Sequence, residues 1–184
     1  MKRGEIMTKF KTFDLTKIAL FTAVIVVLSQ ISIPMPYGVP MTLQTFIIPL
    51  AGVLLGKKSG TMSTILYVLL GLIGLPVFAG FSGGAAIVFG PTGGFILSFP
   101  IMAYIAGWFA ERENIVFLYI GLFLGAMINF LVGFIVFHLV TGSSLSVAFA
   151  ATVLPFIPTT IIKVIVIGLV SQKLRPLVKN KVLV

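Results

Sequence analysis

"IVFLYIGLFLGAMINFLVGFIVFHLV", residues 115–140, contains no Asp, Glu, Lys or Arg. A helix that crosses a bilayer needs roughly 17–25 mainly apolar residues, and this run is long enough to cross with a tilt. Five further apolar segments flank it, at about 15–33, 41–56, 61–79, 95–110 and 147–172. Of the 184 residues 59% are hydrophobic and 9% charged, too little polar surface to cover a water-soluble core of this size. The sequence therefore predicts an all-α integral membrane protein, a single membrane domain over residues 1–184 built as a bundle of six transmembrane helices.

Charge placement divides the chain in the same way. Lys2, Arg3, Lys9, Lys11 and Lys17 precede or open the first segment, Lys57 and Lys58 lie between the second and third, and Arg112 lies between the fourth and fifth. Lys173, Arg175, Lys179 and Lys181 follow the sixth, while the alternate connections, about 34–40, 80–94 and 141–146, carry no charge. Basic residues concentrate on cytoplasmic loops, so both termini are expected in the cytoplasm and the uncharged loops outside. All of the 13 basic residues except Lys163 fit this scheme. The N-terminal apolar run is read as the first helix rather than a cleaved leader, because no small-residue cleavage pattern precedes "SIPMPYG" and five more spans follow. Segment six carries Pro155 and Pro158 early, so its regular helix is expected to start near Pro158, where proline fits a first turn.

Several chemistries are excluded. With no cysteine there is no disulfide, thiolate or cysteine metal site, and one histidine with four acidic residues leaves little for metal binding or acid–base catalysis. "AGVLLGKKS" fails as a phosphate loop: Ala51 stands where the first glycine is needed, and Lys58 where a hydroxyl is needed. No metal, no cofactor and no enzymatic activity are expected, and the +9 net charge is read as topology signal rather than nucleic-acid affinity.

Lys163, in "PTTIIKVIV", lies inside segment six. A lysine at that depth costs about 2.5–3.5 kcal/mol on insertion scales unless it is paired or near water. Thr159 and Thr160 share its helical face at i−4 and i−3, and a cation without an acidic partner in the membrane suits an anionic ligand better than simple snorkelling. The loops "SIPMPYGVP" and "FAGFSGGAAIVFGPTGG" are too apolar to be solvated tethers. Their glycines serve either as tight turns or as a backbone surface for a ligand. Thr42 and Gln44 open segment two on the same side, whereas Asn129 and His138 are read as bonding a neighbouring helix. Tyr37 and Tyr67 read equally well as interfacial or packing aromatics and as ligand contacts. Ala19 and Ala23, and again Gly121 and Gly125, have the small-xxx-small spacing that lets another helix approach.

The runs "IPMPYGVPMTLQTFIIPLAGVLLG", "YVLLGLIGLPVFAG-FSGG", "GPTGGFILSFP" and "LPFIP", in this order, resemble the BioY family, the biotin-binding S components of energy-coupling-factor (ECF) vitamin transporters. That resemblance implies an S-component-like fold in the plasma membrane of a prokaryote, with biotin held near the external face. Carried to matching positions, it implies substrate contacts at Gln44, Gly83, Gly84, Gly90, Thr92, Gly93, Thr160 and Lys163, and docking through Ala19 and Ala23 onto a membrane coupling subunit. Two cytoplasmic ATPases would complete the transporter and supply the energy. An S component for another small vitamin, or a solitary facilitator or channel, are the alternatives. The family pattern P-G-D-x-x-K reads "PTTIIK" in this chain, so Thr159 replaces glycine and Thr160 the aspartate.

Overall fold

The structure, a computed structural model, describes residues 12–180; Lys2, Arg3, Glu5, Lys9, Lys11 and Lys181 lie outside the described residues. It is helical throughout, with α1 (Thr12–Ser29), α2 (Gln44–Leu72), α3 (Ala85–Val88), α4 (Gly93–Ala110), α5 (Ile115–Thr141), α6 (Leu145–Thr152) and α7 (Ile157–Asn180). A small antiparallel hairpin, β1 (Ser32–Ile33) and β2 (Met41–Thr42), pairs Ser32 with Thr42 and Ile33 with Met41.

α2 is two helices joined at one residue. Gly56 has φ 81° and ψ 167°, a conformation that L side chains rarely adopt and that breaks the helical ladder. Beyond it the chain turns back: Gly60 lies against Gly52, and farther from the bend Tyr67 reaches Gln44. That pairing is the signature of an antiparallel helical hairpin. The expected segments at about 41–56 and 61–79 are thus the arms of this hairpin, and the "GKK" between them is the bend itself. The bend is pinned to the end of α4 by Glu111, which accepts the Lys57 N–H at 3.0 Å and pairs with the Lys57 ammonium at 2.8 Å. Arg175 of α7 caps the same end of α4, donating to the Ala110 carbonyl at 2.6 Å.

The other break falls in segment six. α6 ends at Thr152, a 3-10 turn covers Leu154–Phe156, and α7 begins at Ile157, so the apolar run is bent where Pro155 and Pro158 lack N–H donors. Hydroxyls and amides bridge the helices where the core is otherwise apolar. Thr22 of α1 donates to Ser63 O at 3.1 Å, and Asn129 of α5 donates to Phe95 O and Ser98 Oγ at 3.0 and 2.8 Å, which makes Asn129 the interhelical link expected of it. His138 Nδ1 lies 2.6 Å from Ser143 O, at the end of α5. Gly121 packs against the Phe109 ring and Gly125 against Met102, so that small pair serves the contact of α5 with α4.

Apolar side chains also cover the outside. Phe123 and Leu131 of α5 and Leu169 of α7 each expose more than half of their surface, an arrangement suited to lipid rather than water. Three helical stretches, Gly93–Ala110, Ile115–Thr141 and Leu145–Val178, are long and apolar enough to cross a membrane.

The hairpin of α2 depends on the absence of a side chain at Gly60, where a Cβ would sit 2.8 Å from the Ala51 carbonyl oxygen. Gly60→Val is expected to cost about 3 kcal/mol, at the upper end of overpacking penalties. In detergent that corresponds to a Tm lower by about 6–12 °C. A Tm unchanged within a degree would contradict the close pairing of the two arms.

Candidate ligand-binding site

At the end of the bundle away from Glu111 and Arg175, the loops fold over a cavity of ≈ 220 Å³. Its roof is the β-hairpin, through Gly38, Val39 and Pro40, and one side is the segment Phe78–Ser82. The roof is shaped by a 3-10 turn at Pro36–Gly38, in which Tyr37 adopts φ 68°; the Tyr37 side chain is exposed and does not line the cavity. Gln30 anchors the side wall to α1: its Nε2 donates to Val77 O at 3.0 Å, and its Oε1 accepts the Phe81 N–H at 2.8 Å.

The walls are apolar and aromatic, with Phe95 and Phe99 from α4, Phe130 from α5 and Phe156 from the turn before α7. Polar side chains are few and come from several elements: Thr42 on β2, Gln44 and Thr45 at the start of α2, Ser82 in the side wall, Thr92 before α4, and Thr160 on α7. An apolar cleft with a small set of placed polar groups is the usual form of a small-molecule site.

Three of the eight expected contact residues, Gln44, Thr92 and Thr160, line this cavity. Lys163 stands beside it, bonded to two residues that do: its ammonium donates to Thr42 O at 2.7 Å and to Thr45 Oγ1 at 2.8 Å. An ammonium has three N–H donors, so one remains for a ligand. The carboxylates among the described residues, Asp14, Glu111 and Glu113, belong to the opposite end of the bundle, at the start of α1 and after α4.

Gly83, Gly84, Gly90 and Gly93 do not line the cavity. A Cβ on Gly93 would run into the Val88 carbonyl, and Gly83 and Gly90 likewise abut the carbonyls of Leu75 and Ala86. Gly84 takes φ 97° and donates its N–H to Gly71 O at 2.7 Å. These glycines let the connection fold tightly on itself, which sets Phe78, Ile87 and Thr92 at the cavity. Of the two readings the sequence allows for them, turn-making is the one that their surroundings match.

The sequence does not single out the aromatic wall. With 17 phenylalanines in the chain, the five that line the cavity, Phe78, Phe95, Phe99, Phe130 and Phe156, carry no distinguishing spacing. Tyr67, which the sequence leaves open between packing aromatic and ligand contact, is packed behind the site: it is fully buried, accepts Gln44 Nε2 at 2.6 Å and meets the Phe78 ring edge-on at 5.4 Å. Ala19 and Ala23 lie exposed on α1 beside Leu15, Leu20 and Val27, a stripe that the other described residues leave uncovered.

The family model of the BioY family matches residues 4–180. The chain belongs to the BioY family. It is 39% identical over 165 residues to a "Probable biotin transporter BioY" of Pyrococcus horikoshii, spanning 90% of this chain and 98% of that protein. It is also 39% identical over 168 residues to the "Biotin transporter BioY" of Thermotoga maritima, covering 89% of this chain and 96% of the relative. Among solved structures it matches the S-component for biotin from an ECF-type ABC transporter, with a TM-score of 0.84 and 32% identity, covering 94% of this chain and 95% of that one. Membership of a transporter family, with apolar helices of spanning length, makes this a membrane protein and not a member of an enzyme family.

The tie between Lys163 and the hairpin is open to a direct check. Lys163→Met keeps an unbranched apolar stem and removes both donors. Amide hydrogen exchange over residues 41–45 is expected to quicken by about tenfold or more, as lost charge-assisted hydrogen bonds dictate. Exchange in α4 and α5 should stay unchanged, and equal protection at 41–45 in the variant would show that the lysine does not hold the roof.

Proposed function

We propose that this protein is the biotin-capturing membrane subunit of an ECF transporter. Six helices, α1, the two arms of α2, α4, α5 and α7, cross the plasma membrane of a prokaryote, with both termini in the cytoplasm and the cavity facing outside. The observation that carries the reading is the cavity itself, apolar and aromatic with Gln44, Thr92 and Thr160 in its lining and the Lys163 ammonium at its edge, in a chain of the BioY family. The aromatic walls take the ring system and the aliphatic tail of biotin. The remaining donor of Lys163 takes the carboxylate, because Thr42, Thr45 and Thr160 give that cation only neutral neighbours. Gly83, Gly84, Gly90 and Gly93 act through the path of the backbone, holding Thr92 in position.

The protein performs no chemistry. Capture needs no ATP, and sustained uptake runs on a partner module of one membrane coupling subunit and two cytoplasmic ATPases. The exposed small-residue stripe at Ala19 and Ala23 is the docking surface for the coupling subunit, since small side chains let a partner helix come close.

Calorimetry of the purified protein with biotin, desthiobiotin and biotin amide tests capture. Biotin and desthiobiotin are expected to bind, and biotin amide to bind about tenfold or more weakly, the scale of a lost charge-assisted hydrogen bond. No binding of any of the three would overturn the reading; equal binding of acid and amide would remove the carboxylate from Lys163. Separately, Ala19→Leu and Ala23→Leu should leave biotin affinity unchanged while reducing co-purification with the coupling module. Unchanged uptake by the full complex would refute the docking assignment.

A further inference from the structure

The side wall of the cavity is held differently from its roof. In the roof β1 pairs with β2, and the Lys163 ammonium grips Thr42 O and Thr45 Oγ1 at 2.7 and 2.8 Å. The side wall is closed mainly on itself: the Phe78 N–H donates to Ser82 O at 2.9 Å, and Ser82 Oγ donates to Ala79 O at 2.8 Å. Among the described residues, Ala79–Ser82 has one hydrogen bond to another part of the protein, from the Phe81 N–H to Gln30 Oε1 at 2.8 Å. Ala79 and Ser82 line the cavity, whereas Gln30 does not.

The partners of the Gln30 amide fix its orientation. Nε2 donates to Val26 O of α1 and to Val77 O, both at 3.0 Å, and a carbonyl can only accept. The Phe81 N–H can only donate, so Oε1 must face it. With both N–H groups engaged, the amide keeps no donor for a ligand. It grips the wall at two places of unequal freedom. Val77 adjoins Phe78, whose buried ring meets Tyr67 edge-on at 5.4 Å, so this end is fixed. Phe81 is 71% exposed, so its side chain adds little hold at the other end. Gly80 and Phe81 also take φ 66° and 56°, the left-handed region, which is strained for a side chain as bulky as Phe. The wall is thus a short flap that pivots at Phe78, strained near its tip and kept shut there by one neutral hydrogen bond.

We propose that Gln30 is a positioning residue that latches this flap, and that the ligand enters and leaves past Ala79–Ser82 while the roof stays fixed. This rests on the capture reading above and adds the route and its gate. Gln30 holds no ligand; it sets how often the flap opens. Opening there breaks one neutral bond and relieves the strain at Phe81, whereas lifting the roof strips the Lys163 cation of its two oxygens. A gate acts on rates in a particular way. Passage in both directions scales with the open fraction, so a looser latch speeds association and dissociation alike. Their ratio barely changes while the closed form still dominates.

Tritiated biotin, followed by a chase of unlabelled biotin, gives both rate constants on the purified full chain. Gln30→Met keeps the length of the side chain and removes the amide. It is expected to raise kon and koff together by about tenfold, with Kd within about twofold of wild type. Gly80→Ala places its Cβ where nothing lies within 4 Å, so it acts only through the left-handed backbone and should raise both rates by about fivefold. The chain has no cysteine, so a short bifunctional thiosulfonate can join Gln30→Cys to Phe81→Cys selectively. Biotin bound beforehand should then stay in place until a reductant cuts the link. Wild-type rates in Gln30→Met overturn the latch, because nothing was being held shut. A rise in koff alone, with Kd weakened in proportion, also overturns it, because that is the mark of a lost ligand contact. Free exchange of biotin in the cross-linked protein overturns the route. A wild-type protein that binds no biotin overturns the capture reading itself.

Discussion

The Lys163 ammonium lies inside a bundle whose other charged groups, among the described residues, gather at the opposite end, and it is held by a pair of oxygens, the Thr42 carbonyl and the Thr45 hydroxyl. A cation in apolar surroundings must be solvated by the protein if water does not reach it. Meeting that demand brings α7 against the start of α2 and fixes the height of the β-hairpin that roofs the cavity. Gln30 does the same for the other half of the roof, tying α1 to Val77 and Phe81. Irregular backbone is tolerated at the end of a membrane bundle when its polar groups are bonded within the protein. The loops therefore fold inward and enclose a volume.

The two ends of the molecule solve the same problem with different means. At the charged end, helix termini are closed by ions: Lys57 with Glu111 across the bend, and Arg175 on the last carbonyl of α4. There Arg112 also lies 4.4 Å from the Trp108 ring centroid and 4.8 Å from those of Phe109 and Phe117, the mixed aromatic and cationic surface typical of a membrane boundary. At the cavity end, hydroxyls, amides and carbonyls take over and Lys163 is the one charge at the edge of the cavity. Running between the two, α1 carries Ser29 on its buried side and Ala19 and Ala23 on its exposed side. The same helix therefore packs its buried side into the core and carries on its outer side the stripe proposed for docking.

Apolar segments and charge spacing made the long helices legible, because hydrophobic length is a strong signal that tertiary context rarely overrides. The bend at Gly56 falls where charge spacing divides segments two and three; the close seating of its two arms was not legible. A glycine before two lysines reads as a helix end with basic anchors, and only the packing of Gly60 on Gly52 makes it a hairpin bend. The site was legible in part. Thr160 and Lys163 stood out because polar groups are scarce in segment six, and Gln44 because it follows a proline-rich loop. The glycines of "FGPTGGF" stood out as well, but a missing Cβ says only that something comes close. In Gly90 and Gly93 that something is the chain's own carbonyls. The converse error hid the phenylalanine walls: their side chains are ordinary for a membrane helix, and only their convergence from distant elements gives them a role.

The replacement of a carboxylate by Thr160 changes the electrostatics of the site more than its shape. An acid beside Lys163 would neutralise the cation in the empty protein, and a ligand would have to compete for it. Here the ammonium is hydrogen-bonded to the Thr42 carbonyl and the Thr45 hydroxyl, both neutral, and no ion pair to it is formed among the described residues. In the capture proposed above, a ligand carboxylate would add an interaction without displacing one, and the tie that holds the roof would stay intact as the cavity fills. Affinity for an anion and closure of the loops become separate properties, the first set by an unused N–H of Lys163 and the second by the two already engaged. Gln44 follows the same logic with neutral groups: one N–H and one lone pair hold the amide still, and the other pair is left for recognition. In both residues the donors spent on the protein are what give direction to the donors kept for the ligand.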